Sequence, residues 1–391
     1  MASVDVVLDC GSLTAPLAGI GCYAANLLAA LRSSDEIGSL RCFNGRDVRP
    51  VDELFSQPSS AASQWWPSAG PARFLKRVLR ERQVAYEVRH WLRDRRFMHG
   101  VKGLEDHVYH QPAFILSPFA GRSVTTVHDL SFVRFPQAHP AGRVAYLLRH
   151  LPTSLDRADR ILVPSEFTRQ ELLSLFALDA RKVVVTPLGV SPVFRPRSEE
   201  ECRNVLARYR LAYRRYVLFV GTLEPRKNLA MLMDAWLSLP ASAREQYPLV
   251  IVGGRGWGDD QLFRRLKTLE RHEPLRYLDY VPADVLPMLY SAASLMVYPS
   301  HYEGFGLPVL ESMASGTPVI CASGTAMTEF SDGAAFLFAA GKNDALKDVM
   351  SFVLSDSARV LDHVDCGLEL ARTYTWSACA AMTMRVYQSL G

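Results

Sequence analysis

Two carboxylates eight residues apart, Glu303 and Glu311, frame a glycine-bearing turn in the run Pro299-Ser-His-Tyr-Glu-Gly-Phe-Gly-Leu-Pro-Val-Leu-Glu311. Backbone N–H groups of Gly304, Phe305, Gly306 and Leu307, placed where a helix begins, suit an anion, and a phosphate is the natural guest. Carboxylates beside a phosphate would repel it, so Glu303 and Glu311 are better suited to accept hydrogen bonds from hydroxyls, as on a sugar. A second charged set, Arg226 and Lys227 in Gly221-Thr-Leu-Glu-Pro-Arg-Lys-Asn228, follows an apolar strand-like run and suits phosphate oxygens. The third is His128-Asp129, closing Ser123-Val-Thr-Thr-Val127, with His110 as a weaker candidate on the preceding strand-like segment. The alternatives are capping or solvated carboxylates, solvated cations at a helix start and a structural histidine.

The elements that must position these groups alternate. Val4–Cys10, Ile161–Val163, Tyr216–Val220, Leu249–Gly254 and Ala293–Tyr298 are short apolar runs of strand type, and the run Val183–Val190 closes the first half. Helical spacing predicts helices over Tyr23–Leu31, Arg143–Leu155 and Leu229–Leu237, and one after Pro308 that ends at Gly316-Thr-Pro318. Ser165 reads as an N-cap, with Glu166 in the first turn of its helix. Strand–helix alternation in both halves gives an α/β fold of two doubly wound domains facing a cleft, with ligands at strand carboxyl ends. The Pro, Arg and Ser-rich connector 191–201 sets the domains at 1–195 and 196–372, with a helix over 373–391. Gly19-Ile-Gly21 is not a dinucleotide fingerprint, because its connection from Cys10 is too long for the tight turn.

Composition narrows the partners. The 391 residues carry a net charge of +4, which gives no footprint for nucleic acid. Seven scattered cysteines without metal-ligand spacing read as reduced thiols, and no signal peptide or membrane span is expected, so the location is read as cytoplasmic. Residues 50–72 read as an irregular segment. Between 73 and 102, ten Arg or Lys face three acids with aromatic and aliphatic residues interleaved. This basic amphipathic stretch suits an anionic membrane surface at the inner face of the cytoplasmic membrane, or equally a solvated face over the core.

The run Tyr298–Val319 resembles the signature of the family 4 retaining glycosyltransferases of the GT-B fold, with two Glu at this spacing. The resemblance covers nearly the whole chain and is weakest from about 45 to 105. It implies a metal-independent hexosyltransferase without a cofactor, using a nucleotide-sugar as co-substrate. No Asp-x-Asp occurs, so the metal clamp of the other major glycosyltransferase fold is missing. The resemblance assigns donor-phosphate binding to Lys227. Arg226 stands in for the family's arginine after the strand glycine, where this chain has Thr222. It assigns hexose contact to His128, hexose orientation to Glu303, ribose binding to Glu311, diphosphate contact to Gly21 and base contact to Val281. The motifs Gly-Thr-Leu-Glu-Pro-Arg-Lys-Asn, Val-His-Asp-Leu-Ser and Pro-Leu-Gly-Val-Ser-Pro look most like bacterial mannosyl- and rhamnosyltransferases. The expected reaction is transfer of mannose from a GDP-sugar to a lipid-linked oligosaccharide in O-antigen or exopolysaccharide synthesis. The alternatives are D-rhamnose from GDP-rhamnose, glucose from a UDP-sugar, an inactive interaction subunit, and an epimerase or phosphorylase on the same fold.

Overall fold

The structure, a computed structural model, describes residues 3–13, 19–55, 83–256, 260–331, 333–339, 341, 343–355 and 357–391. Two compact units divide the chain: Met1–Leu188 with Trp376–Gly391, and Gly189–Thr375. The division falls a few residues before the expected 195/196, because the connector packs on the second unit. There Arg197 N donates to Ser291 Oγ at 2.7 Å, Val190 N donates to Tyr374 O at 2.9 Å, and Phe194 meets Tyr290 with ring centroids 5.6 Å apart.

In the first unit the strands are β1 (Val4–Asp9), β2 (Ile37–Phe43), β3 (Val48–Pro50), β4 (Val108–Gln111), β5 (Ser123–Thr126), β6 (Arg160–Val163) and β7 (Val183–Val185). They lie in the order β3-β2-β1-β4-β5-β6-β7, parallel except for the β2–β3 hairpin at one edge. The central strands β4 and β5 are buried throughout, as a parallel sheet covered on both faces requires, and each fully buried aliphatic side chain contributes about 1.5–3 kcal/mol. The last helix, Trp376–Gln388, packs against the helix Ile20–Arg32 in this unit, as the GT-B arrangement implies. Residues 51–55 are helical rather than irregular, and among the described residues of the basic stretch Gln83–Gly100 forms a helix. Residues 56–82 lie outside the described residues.

The second unit holds β8 (Val217–Val220), β9 (Leu249–Val252), β10 (Leu275–Leu278), β11 (Leu295–Tyr298), β12 (Val319–Ala322) and β13 (Phe336–Phe338), all parallel, in the order β10-β9-β8-β11-β12-β13. The chain winds outward from β8 in one direction and from β11 in the other. The switch point of the sheet is therefore the gap between β8 and β11, whose carboxyl ends open a crevice.

Candidate active site

Both charged motifs of the second unit leave strands that flank this switch point. After β8, Pro225–Lys227 forms one 3-10 turn, and Asn228 at φ 54° turns the chain into the helix Leu229–Leu237. After β11 the chain crosses to Gly306, which caps the helix Leu307–Ala314 with φ 110°. A Cβ at Gly306 would lie 2.6 Å from Met327 Cγ, so both backbone angle and space demand glycine. Pro308 in the first turn loses no needed N–H. Behind the turn, Ala326 N donates to Glu303 O at 3.3 Å, and Phe305, Phe330 and Tyr374 pack as an aromatic trio.

The two loops are locked together by charge. Glu303 Oε1 accepts from Lys227 Nζ at 2.6 Å, and Oε2 lies 3.0 Å from Arg226 Nη1. Arg226 also donates to Glu224 Oε1 at 2.7 Å and to Tyr302 O at 2.6 Å, and Lys227 Nζ donates to Tyr298 Oη at 2.5 Å. A backbone bond, His301 N to Arg226 O at 2.9 Å, closes the seam. Glu224, Arg226, Lys227 and Glu303 are 4%, 9%, 9% and 7% exposed. Burial tends to raise the Glu303 carboxyl, but Arg226 and Lys227 overcome it and hold it below the usual carboxylate range. Burial draws the Lys227 ammonium down, opposed by Glu303. We conclude that Glu303 already receives two cations here, where its sequence context suggested an acceptor for hydroxyls alone. The reason is physical: cations withdrawn from water need nearby countercharge.

Glu311 stands apart from this cluster in the helix Leu307–Ala314. Although the residue keeps some exposure, burial of the carboxyl pushes it up to about 7, with the Tyr290 hydroxyl acting in the opposite sense. Val281 is buried just past β10, two strands from β8 along the same carboxyl edge of the parallel sheet.

The remaining candidates lie in the first unit. His128, just past β5, bonds through Nε2 to Pro112 O at 2.7 Å and meets the edge of Tyr23 at 4.8 Å between ring centroids. Burial lowers its pKa, with the Pro112 carbonyl and Asp129 opposing. Gly21 sits in the first turn of Ile20–Arg32, two residues before Tyr23. His110 is a core residue. It is fully buried, pairs through Nδ1 with Tyr387 Oη at 2.6 Å and through Nε2 with Thr126 Oγ1 at 2.8 Å, and burial pushes it down to about 3. The weaker of the two histidine candidates thus takes the structural alternative, tying the last helix to the sheet.

Sequence reasoning missed Glu224 and Tyr298. Glu224 could have been found by asking which carboxylate balances a second buried cation.

Residues 210–364 match the family described as "Glycosyl transferases group 1", and residues 19–194 match "Glycosyltransferase Family 4". The chain is 38% identical to O-antigen chain mannosyltransferase B of Escherichia coli over 377 residues, covering 96% of this chain and 97% of that protein. It belongs to glycosyltransferase family 4. Among solved structures, sucrose-phosphate synthase from Thermosynechococcus elongatus is similar with a TM-score of 0.76 at 20% identity, covering 99% of each chain. WaaG, a glycosyltransferase involved in lipopolysaccharide biosynthesis, is similar with a TM-score of 0.72 at 14% identity, covering 98% of this chain and 99% of that one. The two parallel α/β sheets are those of the GT-B class, and the family is one of retaining glycosyltransferases. Among the described residues no helix is long and apolar enough to cross a membrane, and no group of three or more His, Cys, Asp or Glu is arranged to hold a metal ion.

Proposed function

We propose that this family 4 enzyme transfers mannose from GDP-mannose, with retention at the anomeric carbon, to a growing lipid-linked glycan in O-antigen synthesis. Near-full-length identity to an O-antigen mannosyltransferase carries the choice of sugar and pathway. The buried Arg226–Lys227–Glu303 lock at the switch point is the observation that favours a phosphate-leaving reaction over a silent subunit. The base and the carrier are read from the motifs alone. In this reading the acceptor is presented at the inner face of the cytoplasmic membrane.

The proposed donor lies along the carboxyl ends of β8 and β11. An ammonium has three protons, and Lys227 uses two on Glu303 and Tyr298, leaving one for a diphosphate oxygen. Arg226 and the amides of Gly304, Phe305, Gly306 and Leu307 add positive potential as the GDP oxygen departs. Glu303, with one cation per oxygen, retains a lone pair on each for hexose hydroxyls. Glu311 takes the ribose, Val281 the base, Gly21 the diphosphate from the first unit, and His128 the hexose. The acceptor attacks from the face the leaving group vacates, and the departing phosphate oxygen takes the acceptor's proton. No metal is assigned a step, in keeping with a family that is typically metal-independent.

The test is incubation with GDP-mannose, GDP-rhamnose or UDP-glucose and a short mannosyl acceptor, reading the product's anomeric configuration by NMR. Retained mannosyl transfer from GDP-mannose is expected. Turnover only with a UDP-sugar or GDP-rhamnose would overturn the donor assignment, and release of an epimerised sugar or phosphate-dependent turnover would overturn the reaction class.

A further inference from the structure

The carboxyl edge of the second sheet continues past the switch point. From β8 it runs to β9 and then β10, two strand spacings or roughly 10 Å along the sheet. The loops along this edge are bonded to one another in that order. Leu223 N, in the loop that leads to Arg226, donates to Gly254 O after β9 at 3.1 Å. Gly253 N in turn donates to the carbonyls of Leu278 and Asp279, each at 3.0 Å. A Cβ built on Gly254 would stand 3.5 Å from Asp279 Oδ1, so the Asp279 carboxylate lies beside the glycine that borders the cation loop.

Asp279 is an acceptor without a cation. It is exposed, as is Tyr280, whereas the next residue, Val281, is buried. The neighbouring cations are engaged elsewhere. Arg255 pairs with Asp260 and lies over the Phe263 ring at 4.5 Å. Lys267 lies over the Tyr277 ring at 4.9 Å, and its Nζ donates to Glu270 Oε2 at 2.6 Å. The Tyr277 hydroxyl stands 3.3 Å from Asp279 Oδ1, but its single proton has a closer acceptor in Gly253 O at 3.0 Å. Both carboxylate oxygens therefore keep lone pairs for a ligand. An exposed carboxylate is ordinary by itself. One held on the ligand edge of a parallel sheet, a single loop from a phosphate-binding turn, is placed to read what the phosphates carry.

Guanine offers two adjacent N–H donors, N1–H and the N2 amine, which match the two oxygens of an aspartate. Adenine sets an acceptor beside a donor on that edge, and uracil sets one donor between two carbonyls, so with either base a carboxylate oxygen meets a lone pair. We propose that Asp279 accepts both N–H groups of the guanine and thereby sets the base of the donor. The assignment rests on the GDP-mannose donor proposed above, and it goes beyond the contact given to Val281, which distinguishes no base.

The experiment is calorimetry of the full chain with GDP, inosine diphosphate, xanthosine diphosphate and UDP. Losing one hydrogen bond to a charged group lowers affinity by about 10–150-fold, so wild type should bind inosine diphosphate, which lacks the N2 amine, that much less tightly than GDP. Asp279→Asn puts an N–H where an oxygen stood, and xanthine carries a carbonyl where guanine has its amine. That variant should bind xanthosine diphosphate about tenfold or more tighter than GDP, reversing the wild-type order. A gain for xanthosine diphosphate cannot come from misfolding. Equal wild-type affinity for GDP and inosine diphosphate overturns the proposal, as does an Asp279→Asn variant that keeps the wild-type order. So does a reversal in Asp284→Asn instead, which would move the base-reading carboxylate to the next turn. In these last two outcomes wild type still prefers GDP and the donor assignment stands, whereas a wild type that prefers UDP overturns both.

Discussion

Replacing Glu303 by alanine separates the countercharge of the switch point from its proposed contact with sugar. In the wild-type cluster two carboxylates, Glu224 and Glu303, balance two cations, Arg226 and Lys227. All four are less than one-tenth exposed. Alanine leaves a net positive charge in a dry pocket, and removing one partner of a buried pair costs about 3–5 kcal/mol. For a unit of this size each kcal/mol lowers the melting temperature by roughly 2–4 °C, so a drop of roughly 6–20 °C is expected. GDP should restore more melting temperature in the variant than in wild type, because its diphosphate supplies the missing negative charge. Mannosyl transfer should nonetheless fall. Because Glu303 is held below its unfolded pKa, its stabilisation is present above about pH 4.5 and is lost as pH falls through the folded value, so the acid limb of melting should flatten in the variant. Adding Lys227→Ala should cost less than the sum of the two single changes, by about 0.5–3 kcal/mol. Differential scanning fluorimetry with and without GDP reads all of this. A variant that melts within about 2 °C of wild type, with the same gain from GDP, would refute the role of Glu303 as countercharge.

Four further outcomes follow from the same geometry. If Glu311 holds the ribose as a carboxylate, GDP affinity measured by calorimetry should rise between pH 6 and 8 with a midpoint near its raised pKa of about 7, and Glu311→Gln should weaken binding and remove that rise. Gly306→Ala forces φ 110° and a 2.6 Å contact with Met327 Cγ, and should destabilise by about 1–3 kcal/mol in thermal melting and depress turnover. Since the pKa of His110 falls to about 3, the unfolded chain takes up the proton first between about pH 6.5 and 3, so wild-type stability should fall by about 1.4 kcal/mol per pH unit on acidification, and His110→Gln should reduce that slope in denaturant titrations. Lys227→Ala should weaken GDP binding, whereas His128→Ala should mainly slow transfer, as read by calorimetry and single-turnover rates.

The positions of the groups proposed to hold the donor were legible because they sit where local rules are strict. Gly306 and Pro308 mark a helix start that the backbone accepts in few other ways, and Leu229–Leu237 emerged with the same bounds that its apolar spacing implies. The partners of those groups were not legible. Lys227 and Glu303 are 76 residues apart, and their 2.6 Å contact exists only because β8 and β11 became neighbours across the crossover to β9 and β10. His110 was open to a ligand-side or a structural reading from its place on a strand-like segment. Its real partner, Tyr387, is 277 residues away in a helix that returns from the far end of the chain. The helix Gln83–Gly100 shows the same limit in reverse. Its composition announced basic and apolar residues together, but not which of them face outward, because that depends on Asp9, Ser117 and His150 reaching it from three other segments. Sequence pattern thus reads what each element requires for itself, whereas countercharge and facing are set by whichever strand or helix the topology brings alongside. That is why Glu303, seemingly a hydroxyl acceptor on its own loop, becomes the counterion of another.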